Sequence, residues 1–129
     1  VLAPDDGRVI NSMRAVEKEL ATPSGGIARY NGDNYQGYMN SWIICTLWLA
    51  QWHIAMGNLA RGLELIIWCA DHAAITGLLP EQVGYDGAPR SVLPLMWSHC
   101  TFVLAVMDYL AALARGKLAA LNETSRPCN

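Results

Sequence analysis

The residues best suited to chemistry lie in a short break between two apolar stretches. Residues 77–82 read GLLPEQ. Gly77 can adopt the left-handed conformation that ends a helix, and Pro80 lacks the amide proton that a helix needs, so this segment is non-helical. Loops held between rigid helices often carry catalytic groups. We therefore predict that Glu81 is a catalytic carboxylate, although an isolated glutamate is more often a solvated surface residue.

A second polar segment has the composition of a sugar-binding loop. Residues 24–40 contain several glycines and asparagines, together with Arg29, Tyr30, Tyr35 and Tyr38. A loop of this length is usually functional or disordered, and its aromatic content argues against disorder. Carbohydrate sites combine aromatic rings, which stack on the C–H face of a sugar, with carboxylates and arginine, which bind its hydroxyls. The two segments together favour such a site.

Plainer interpretations stand beside this one. Arg29 and Asp33 have the spacing of a surface ion pair, which is common and weak. Trp42 and Trp97 begin predicted helices, where a tryptophan is as suited to the core as to a pocket. Residues of the types that bind zinc lack the paired spacing of a structural site, so we predict no metal and no cofactor.

Hydrophobic periodicity predicts the elements that position the two segments. An amphipathic helix, capped by Asp5 or Asp6, precedes the polar loop. Asn40 or Ser41 caps a second helix of about residues 42–56, and the apolar side chains of this helix extend almost all the way round it. A helix without a polar face belongs inside a layered assembly.

A third helix follows with almost no connection. Asn58 caps it, and it is predicted to reach Ile75. The joint Gly57-Asn58 leaves room only for an antiparallel hairpin, so the polar loop and the Glu81 loop fall at the same end. Pro94 is predicted to lie in the first turn of a last helix, which ends near residue 115 and leaves a tail from about residue 117.

The sequence therefore predicts an all-α chain of helical hairpins, in which residues 1–129 form a single segment with its functional loops on one rim. Hydrophobic residues make up 53% and charged residues 16% of the chain, against roughly 45–50% and about 25% in an average soluble domain. This excess of apolar surface predicts that the chain is covered by another copy or is part of a larger protein. Because the first residue is Val1 rather than methionine, we favour a fragment or a processed chain.

Charge and hydropathy exclude two classes of partner. The net charge of −2 is spread without a basic stripe, so no nucleic acid is expected. The apolar runs 42–50 and 63–70 are interrupted well before the roughly 20 residues of a membrane span, so no membrane is expected. The four cysteines include no C-x-x-C pair and predict no disulfide framework. This is compatible with a reducing compartment and slightly favours the cytoplasm, although it does not fix the location.

Four motifs, in this order, carry a resemblance to a known family. Residues 26–35, 40–50, 79–82 and 94–99 read GIARYNGDNY, NSWIICTLWLA, LPEQ and PLMWSH. Taken together they resemble glycoside hydrolase family 15, which holds glucoamylases, glucodextranases and some bacterial trehalases. The match extends from about Arg8 to Arg115. It implies the end portion of an (α/α)6 barrel, which is two concentric rings of helices with the active site at one end.

The resemblance also implies roles for individual residues. The glutamate of the Pro-Glu-Gln segment is the family's general base, so Glu81 is expected to activate the attacking water of an inverting reaction, with Gln82 beside it as a supporting polar group. The implied substrate is an α-glucan or a glucosyl disaccharide. The expected substrate-binding residues are Arg29, Tyr30, Tyr35, Trp42, Gln82 and Trp97.

An inverting hydrolase needs two carboxyl groups, and only one matches here. The family's general acid lies on an earlier helix pair, to which nothing in this chain corresponds. Two hypotheses follow: the chain is part of a glucoamylase-type enzyme completed by the rest of the barrel, or it is a non-catalytic helical scaffold or oligomerisation module derived from that barrel.

We predict that the 129 residues alone do not hydrolyse maltose or starch, because they lack the proton donor for the leaving oxygen. Glucose release by the purified chain is the measurement. Release that is lost in the Glu81→Gln variant contradicts the prediction.

Overall fold

Helices make up most of the structure, a computed structural model that describes residues 2–124. The helices are α1 (Gly7–Glu19), α2 (Ile43–Ala55), α3 (Leu59–Asp71) and α4 (Met96–Thr124), and the strands are β1 (Ser41–Trp42), β2 (Gln82–Val83) and β3 (Pro89–Arg90). The all-α prediction is confirmed, with the addition of a small sheet that periodicity could not reveal because each strand has only two residues.

Helix α2 is the centre of the core. It packs against both α3 and α4, whereas α1 contacts it along a smaller surface. Since α2 is apolar on nearly all sides, it can be covered by neighbours on several faces at once, as its composition predicts. The buried core side chains include Ile27, Ile43, Leu47, Ala50, Leu65, Cys69, Val83 and Ala105.

The small sheet joins the two predicted functional loops. Strand β2 is central and pairs antiparallel with β1 on one side and β3 on the other. Ser41 lies opposite Val83, and Trp42 lies opposite Gln82. The polar loop before α2 and the Glu81 loop after α3 therefore do meet at one end of the α2–α3 hairpin.

The predicted helix starts are partly right. Asp6 caps α1 and Asn58 caps α3, each by accepting a hydrogen bond from a backbone N–H. Neither Asn40 nor Ser41 caps α2, because Trp42 occupies the cap position without a side-chain hydrogen bond and Ser41 belongs to β1. Pairing in the sheet has taken the place of a polar cap.

Three predicted helix boundaries were wrong. Helix α3 ends at Asp71 rather than Ile75. Helix α4 begins at Met96, after Pro94, and continues through Gly116 to Thr124, so the predicted tail from residue 117 is helical as far as residue 124. A glycine costs a helix only about 1 kcal/mol relative to alanine, which a long helix tolerates. The predicted tail beyond residue 124 lies outside the described residues.

Helix α4 carries a long apolar surface. By length and composition alone, its segment Met96–Ala119 is long and apolar enough to cross a membrane. The sequence expectation of no membrane segment rested on the runs 42–50 and 63–70 and did not weigh this helix, so it stays untested. Among the described side chains of α4, the large apolar ones that are exposed are Met96, Trp97, Val103, Leu104, Met107, Leu110 and Leu118.

The α2–α3 hairpin depends on a close approach at Gly62. A Cβ atom added there would lie 2.5 Å from Ile54 Cγ1 and 3.2 Å from the Ala50 carbonyl oxygen. The backbone of α3 therefore lies directly against α2 at this point. By contrast, a Cβ at Gly116 in α4 would meet no atom within 4 Å.

We expect Gly62→Ala to lower the free energy of unfolding by about 1–3 kcal/mol, because overpacking outweighs the better helix propensity of alanine. Gly116→Ala is the matched control and should leave stability unchanged or raise it by up to about 1 kcal/mol. Urea unfolding measures both. A Gly62→Ala protein that is as stable as the parent would show that the two helices do not approach so closely.

Candidate active site

Glu81 lies at the end of the loop that leads into β2, and its backbone is held on both sides. Its N–H donates to the Val92 carbonyl at 2.9 Å, and its carbonyl accepts from the Ile43 N–H at 3.2 Å. The second bond ties the loop to the first turn of α2. The position of this glutamate is therefore set by the core helix rather than by the loop alone.

The start of α4 supports the same loop from another direction. Ser98 Oγ donates to the Pro80 carbonyl at 2.8 Å, and the Leu79 N–H donates to His99 Nε2 at 3.0 Å. The Leu95 N–H also donates to the Leu79 carbonyl at 3.0 Å. The loop that the Gly77 and Pro80 pattern predicts is thus a rigid one, since both α2 and the start of α4 form hydrogen bonds with it.

Two side chains contact the Glu81 carboxylate, and both reach the same oxygen. The Ser91 hydroxyl donates to Oε2, and Gln82 Nε2 lies 3.5 Å from it. Oε1 receives no hydrogen bond from the residues that the structure describes. The Glu81 side chain is partly exposed, whereas Gln82 is fully buried. One oxygen is thus fixed by the protein, while the other is available to a ligand or water.

Ser91 was not predicted from the sequence. It lies ten residues beyond Glu81, and the turn between β2 and β3 brings it back. Its φ of 63° is in the left-handed region, which is unfavourable for a residue other than glycine. Such backbone strain tends to cluster at functional sites. A serine in a turn-rich stretch has no sequence signal that distinguishes this role.

A buried carboxylate organises the polar loop. Asp33 is only 1% exposed. Arg29 donates to both of its oxygens, at 3.1 Å from Nε and 3.0 Å from Nη2. The Trp42 indole Nε1 and the Tyr35 backbone N–H also donate to it, each at 3.1 Å. The ion pair that the spacing suggested therefore exists, but its acidic partner is buried.

The Arg29 guanidinium is surrounded by aromatic rings. Its central carbon lies 4.3 Å from the centre of the Trp42 ring, 4.9 Å from that of Tyr30 and 5.6 Å from that of Tyr35. These distances are within the range of cation–π attraction. Four of the predicted substrate-binding residues thus form one cluster, which we call the Arg29 cluster: Arg29, Tyr30, Tyr35 and Trp42.

The Arg29 cluster adjoins the Glu81 loop through the sheet. Trp42, a member of the cluster, pairs with Gln82 across β1 and β2. Gln82 directly follows Glu81 in the chain, so this one residue pair connects the cluster to Glu81. Trp42 is only 5% exposed, so it is closer to the core alternative than to an open pocket wall. Tyr30 and Tyr35 are about half-exposed and provide the open aromatic surface.

Trp97 lies at a second aromatic pair. Its ring meets the Trp48 ring edge to face, with centres 5.7 Å apart, and both rings are about half-exposed. Trp48, which the sequence interpretation assigned to packing, also lines a cavity of about 150 Å³ with Arg29. Trp48 thus contacts Trp97 and shares a cavity with Arg29, a position that the all-round apolar pattern of α2 did not reveal.

Asp33 is charged in the folded chain. Burial alone would raise its pKa, but hydrogen bonds from the Tyr35 N–H, Arg29 and Trp42 outweigh it and hold the pKa below the ordinary value of 3.8. An ionised carboxylate with four donors cannot supply a proton to a leaving group. Asp33 therefore positions Arg29 and does not replace the general acid that the motifs lack.

Comparison with known proteins shows that the chain is similar in sequence to glycoside-hydrolysing enzymes. No model of a known protein family matches the chain. An uncharacterized glycosyl hydrolase of Methanocaldococcus jannaschii is 34% identical over 118 residues, which cover 81% of this chain and 19% of the relative. The isomaltose glucohydrolase of Kribbella flavida is 31% identical, covering 81% of this chain and 30% of the relative. The trehalase of Mycobacterium tuberculosis is 28% identical, with shares of 86% and 17%.

Solved structures agree with these relatives. A glycosidase variant in complex with glucose superimposes with a TM-score of 0.74 at 26% identity, covering 84% of this chain and 32% of that one. A bacterial glucoamylase complexed with acarbose gives a TM-score of 0.72 at 25% identity, with shares of 85% and 18%. The fold of the chain is thus similar to that of helical glycoside hydrolases.

Within that class, the chain resembles glycoside hydrolase family 15, and its helical hairpins resemble part of the helical barrels of glucoamylase and glycosidase structures. The family resemblance that its four motifs indicate is confirmed. The chain spans 19%, 30% and 17% of the lengths of the three relatives.

We expect Asp33→Asn to lower the free energy of unfolding at pH 7 by about 1–3 kcal/mol, because a buried amide replaces the charged acceptor of the Arg29 and Trp42 donors. Since the pKa of Asp33 is lowered in the folded chain, its stabilising contribution is present above the ordinary value and is lost as the pH falls through the folded value.

The variant should therefore also weaken the dependence of stability on pH between about pH 5 and pH 2. Denaturant unfolding across this range is the measurement. Asp71→Asn, at the exposed end of α3, is the matched control. An identical pH dependence in the parent and the Asp33 variant would show that Asp33 does not carry this charge-dependent stability.

Proposed function

We propose that this chain carries the general-base side of an inverting α-glucosidase of glucoamylase type, acting on α-glucans or glucosyl disaccharides. The observation that carries the proposal is the state of Glu81: one carboxylate oxygen is held by Ser91, the other is left to a ligand, and the Arg29 cluster lies across the sheet. The names of the relatives, and the glucose bound in one solved structure, favour a glucosidic substrate.

Glu81 would act through Oε1. In the ionised form it takes a proton from a water molecule, whose oxygen attacks the anomeric carbon on the face opposite the leaving oxygen. The bond to that leaving oxygen breaks as a second carboxyl group protonates it, at roughly 6.5–9.5 Å from the first. Ser91 keeps Oε2 in place, so the lone pair on Oε1 points in a fixed direction.

The substrate-binding roles divide by exposure. Tyr30, Tyr35 and Trp97 present open ring surface on which the C–H face of a glucose unit can lie. Arg29, oriented by the buried Asp33, offers its remaining N–H groups to sugar hydroxyls. Trp42 is buried against the Arg29 guanidinium, and Gln82 is buried beside Glu81.

The proton donor would come from outside these 129 residues. The exposed apolar face of α4 includes an open groove of about 440 Å³ lined by Met96, His99, Cys100, Val103 and Leu104. We assign this face to the remaining helices of the barrel, with a second copy of the chain as the other candidate. The alternative hypothesis, a non-catalytic scaffold, is favoured by the four hydrogen bonds to Asp33, which leave Glu81 as the available carboxylate of the described site.

We expect Glu81→Gln, in the complete natural polypeptide that contains this chain, to lower kcat by about 10²–10⁴-fold with little change in KM, because glutamine cannot accept the water proton. Glu19→Gln, on the exposed surface of α1, is the matched control. Hydrolysis of maltose, isomaltose, trehalose and starch is the assay.

The stereochemistry provides an independent check. Inversion at an α-glucoside releases β-glucose first, which NMR distinguishes before mutarotation. Initial release of α-glucose, or full activity in the Glu81 variant, would contradict the proposal. A complete polypeptide that binds but does not hydrolyse any of these substrates would support the scaffold alternative.

A further inference from the structure

The buried side-chain amide of Asn40, on the polar loop, binds the side chain of Gln82, the residue next to Glu81. Asn40 is 5% exposed, and its side-chain Nδ2 donates to Gln82 Oε1 at 2.9 Å and to the Gln36 carbonyl at 3.1 Å. A primary amide nitrogen has two hydrogens, so both donors of Asn40 are in use. One holds the loop and the other reaches the Glu81 segment, 42 residues further along the chain.

This contact decides which way the Gln82 amide faces. Because Gln82 Oε1 accepts from Asn40, its Nε2 is directed towards Glu81 Oε2, at 3.5 Å. Without a donor at Asn40, the buried amide can turn over and place its oxygen beside the carboxylate. Two acceptors in contact repel, so the carboxylate would move away from its position against Ser91.

The backbone around Asn40 is strained in a way that fits this task. Gln36 and Met39 have φ angles of 60° and 52°, in the left-handed region that residues other than glycine rarely adopt. Gly37, which lies between them, has a φ of 138° that glycine adopts without strain. A Cβ at Gly37 would lie 2.8 Å from Asn40 Nδ2, so the loop closes directly on the amide. Strain of this kind persists only where surrounding contacts maintain it, and it clusters at functional sites.

We propose that Asn40 is a positioning residue for the general base: through Gln82 it helps to fix the Glu81 carboxylate, at the same oxygen that Ser91 binds. The proposal rests on the proposed function of Glu81. Asn40 does not touch substrate in this role, and its effect is on the rate of the chemical step rather than on sugar binding.

The test compares Asn40→Ala, Gln82→Ala and the double variant in the complete polypeptide, with Asn34→Ala on the exposed part of the same loop as the matched control. We expect each single variant at positions 40 and 82 to lower kcat roughly tenfold to a hundredfold with KM within about twofold. Because the two residues act in series, the double variant should be no slower than the slower single variant. Asn40→Asp, which keeps the shape but lacks the donor, should not restore the rate.

A purely structural role gives a different result. It lowers the midpoint of thermal unfolding while kcat per folded molecule stays the same, and the losses in the double variant add. Either outcome overturns the proposal, as does full activity in Asn40→Asp.

Crystal structures of the parent and Asn40→Ala separate this proposal from the proposed function. If the parent hydrolyses no glucoside but the variant displaces the Glu81 carboxylate from Ser91, the enzymatic function fails and the positioning contact stands. An undisplaced carboxylate in the variant overturns the positioning role, whatever the activity of the parent.

Discussion

The pairing of residues 41–42 with residues 82–83 is the constraint on which the rest of the structure depends. The α2–α3 hairpin returns the chain to the end where it began, and this short antiparallel contact then fixes the two loops in register. A shift of one residue would turn every side chain of a strand to the opposite face. Trp42 would leave Asp33, and Gln82 would leave Asn40. A pairing of two residues per strand thus determines the geometry of two polar clusters: the Asp33 carboxylate with the Arg29 cluster, and Glu81 with Gln82, Ser91 and Asn40.

The two polar clusters use their carboxylates in opposite ways. Asp33 is buried, ionised and surrounded by donors, so its charge holds Arg29 against the aromatic rings. Glu81 is partly exposed and retains an oxygen without a protein partner among the described residues. A saturated carboxylate serves structure, whereas one with a free lone pair is suited to proton transfer. The environment, rather than the residue type, separates their roles.

Sequence reasoning reached the parts of the fold that local pattern determines. Periodicity located the helices, and Gly77 with Pro80 located the break that presents Glu81. The cap of α2, the end of α4 and the partners Ser91 and Asn40 were beyond it, because each depends on contacts between distant segments. The bond from Asn40 to Gln82 joins residues 42 positions apart, and no local propensity encodes it. Similarity to a family suggested the role of Glu81 and the supporting position of Gln82, but it did not indicate Ser91 or Asn40.

The uneven burial of the five tryptophans gives the protein a built-in optical probe. Trp42 is shielded from solvent, with its indole nitrogen bound to Asp33, so its emission should respond little to ligands. Trp48 and Trp97 form a half-exposed pair, where solvent reaches both rings. A ligand that binds to this pair would displace that solvent and shift the wavelength of its fluorescence emission. Occupancy of the aromatic surface can then be followed without any added label.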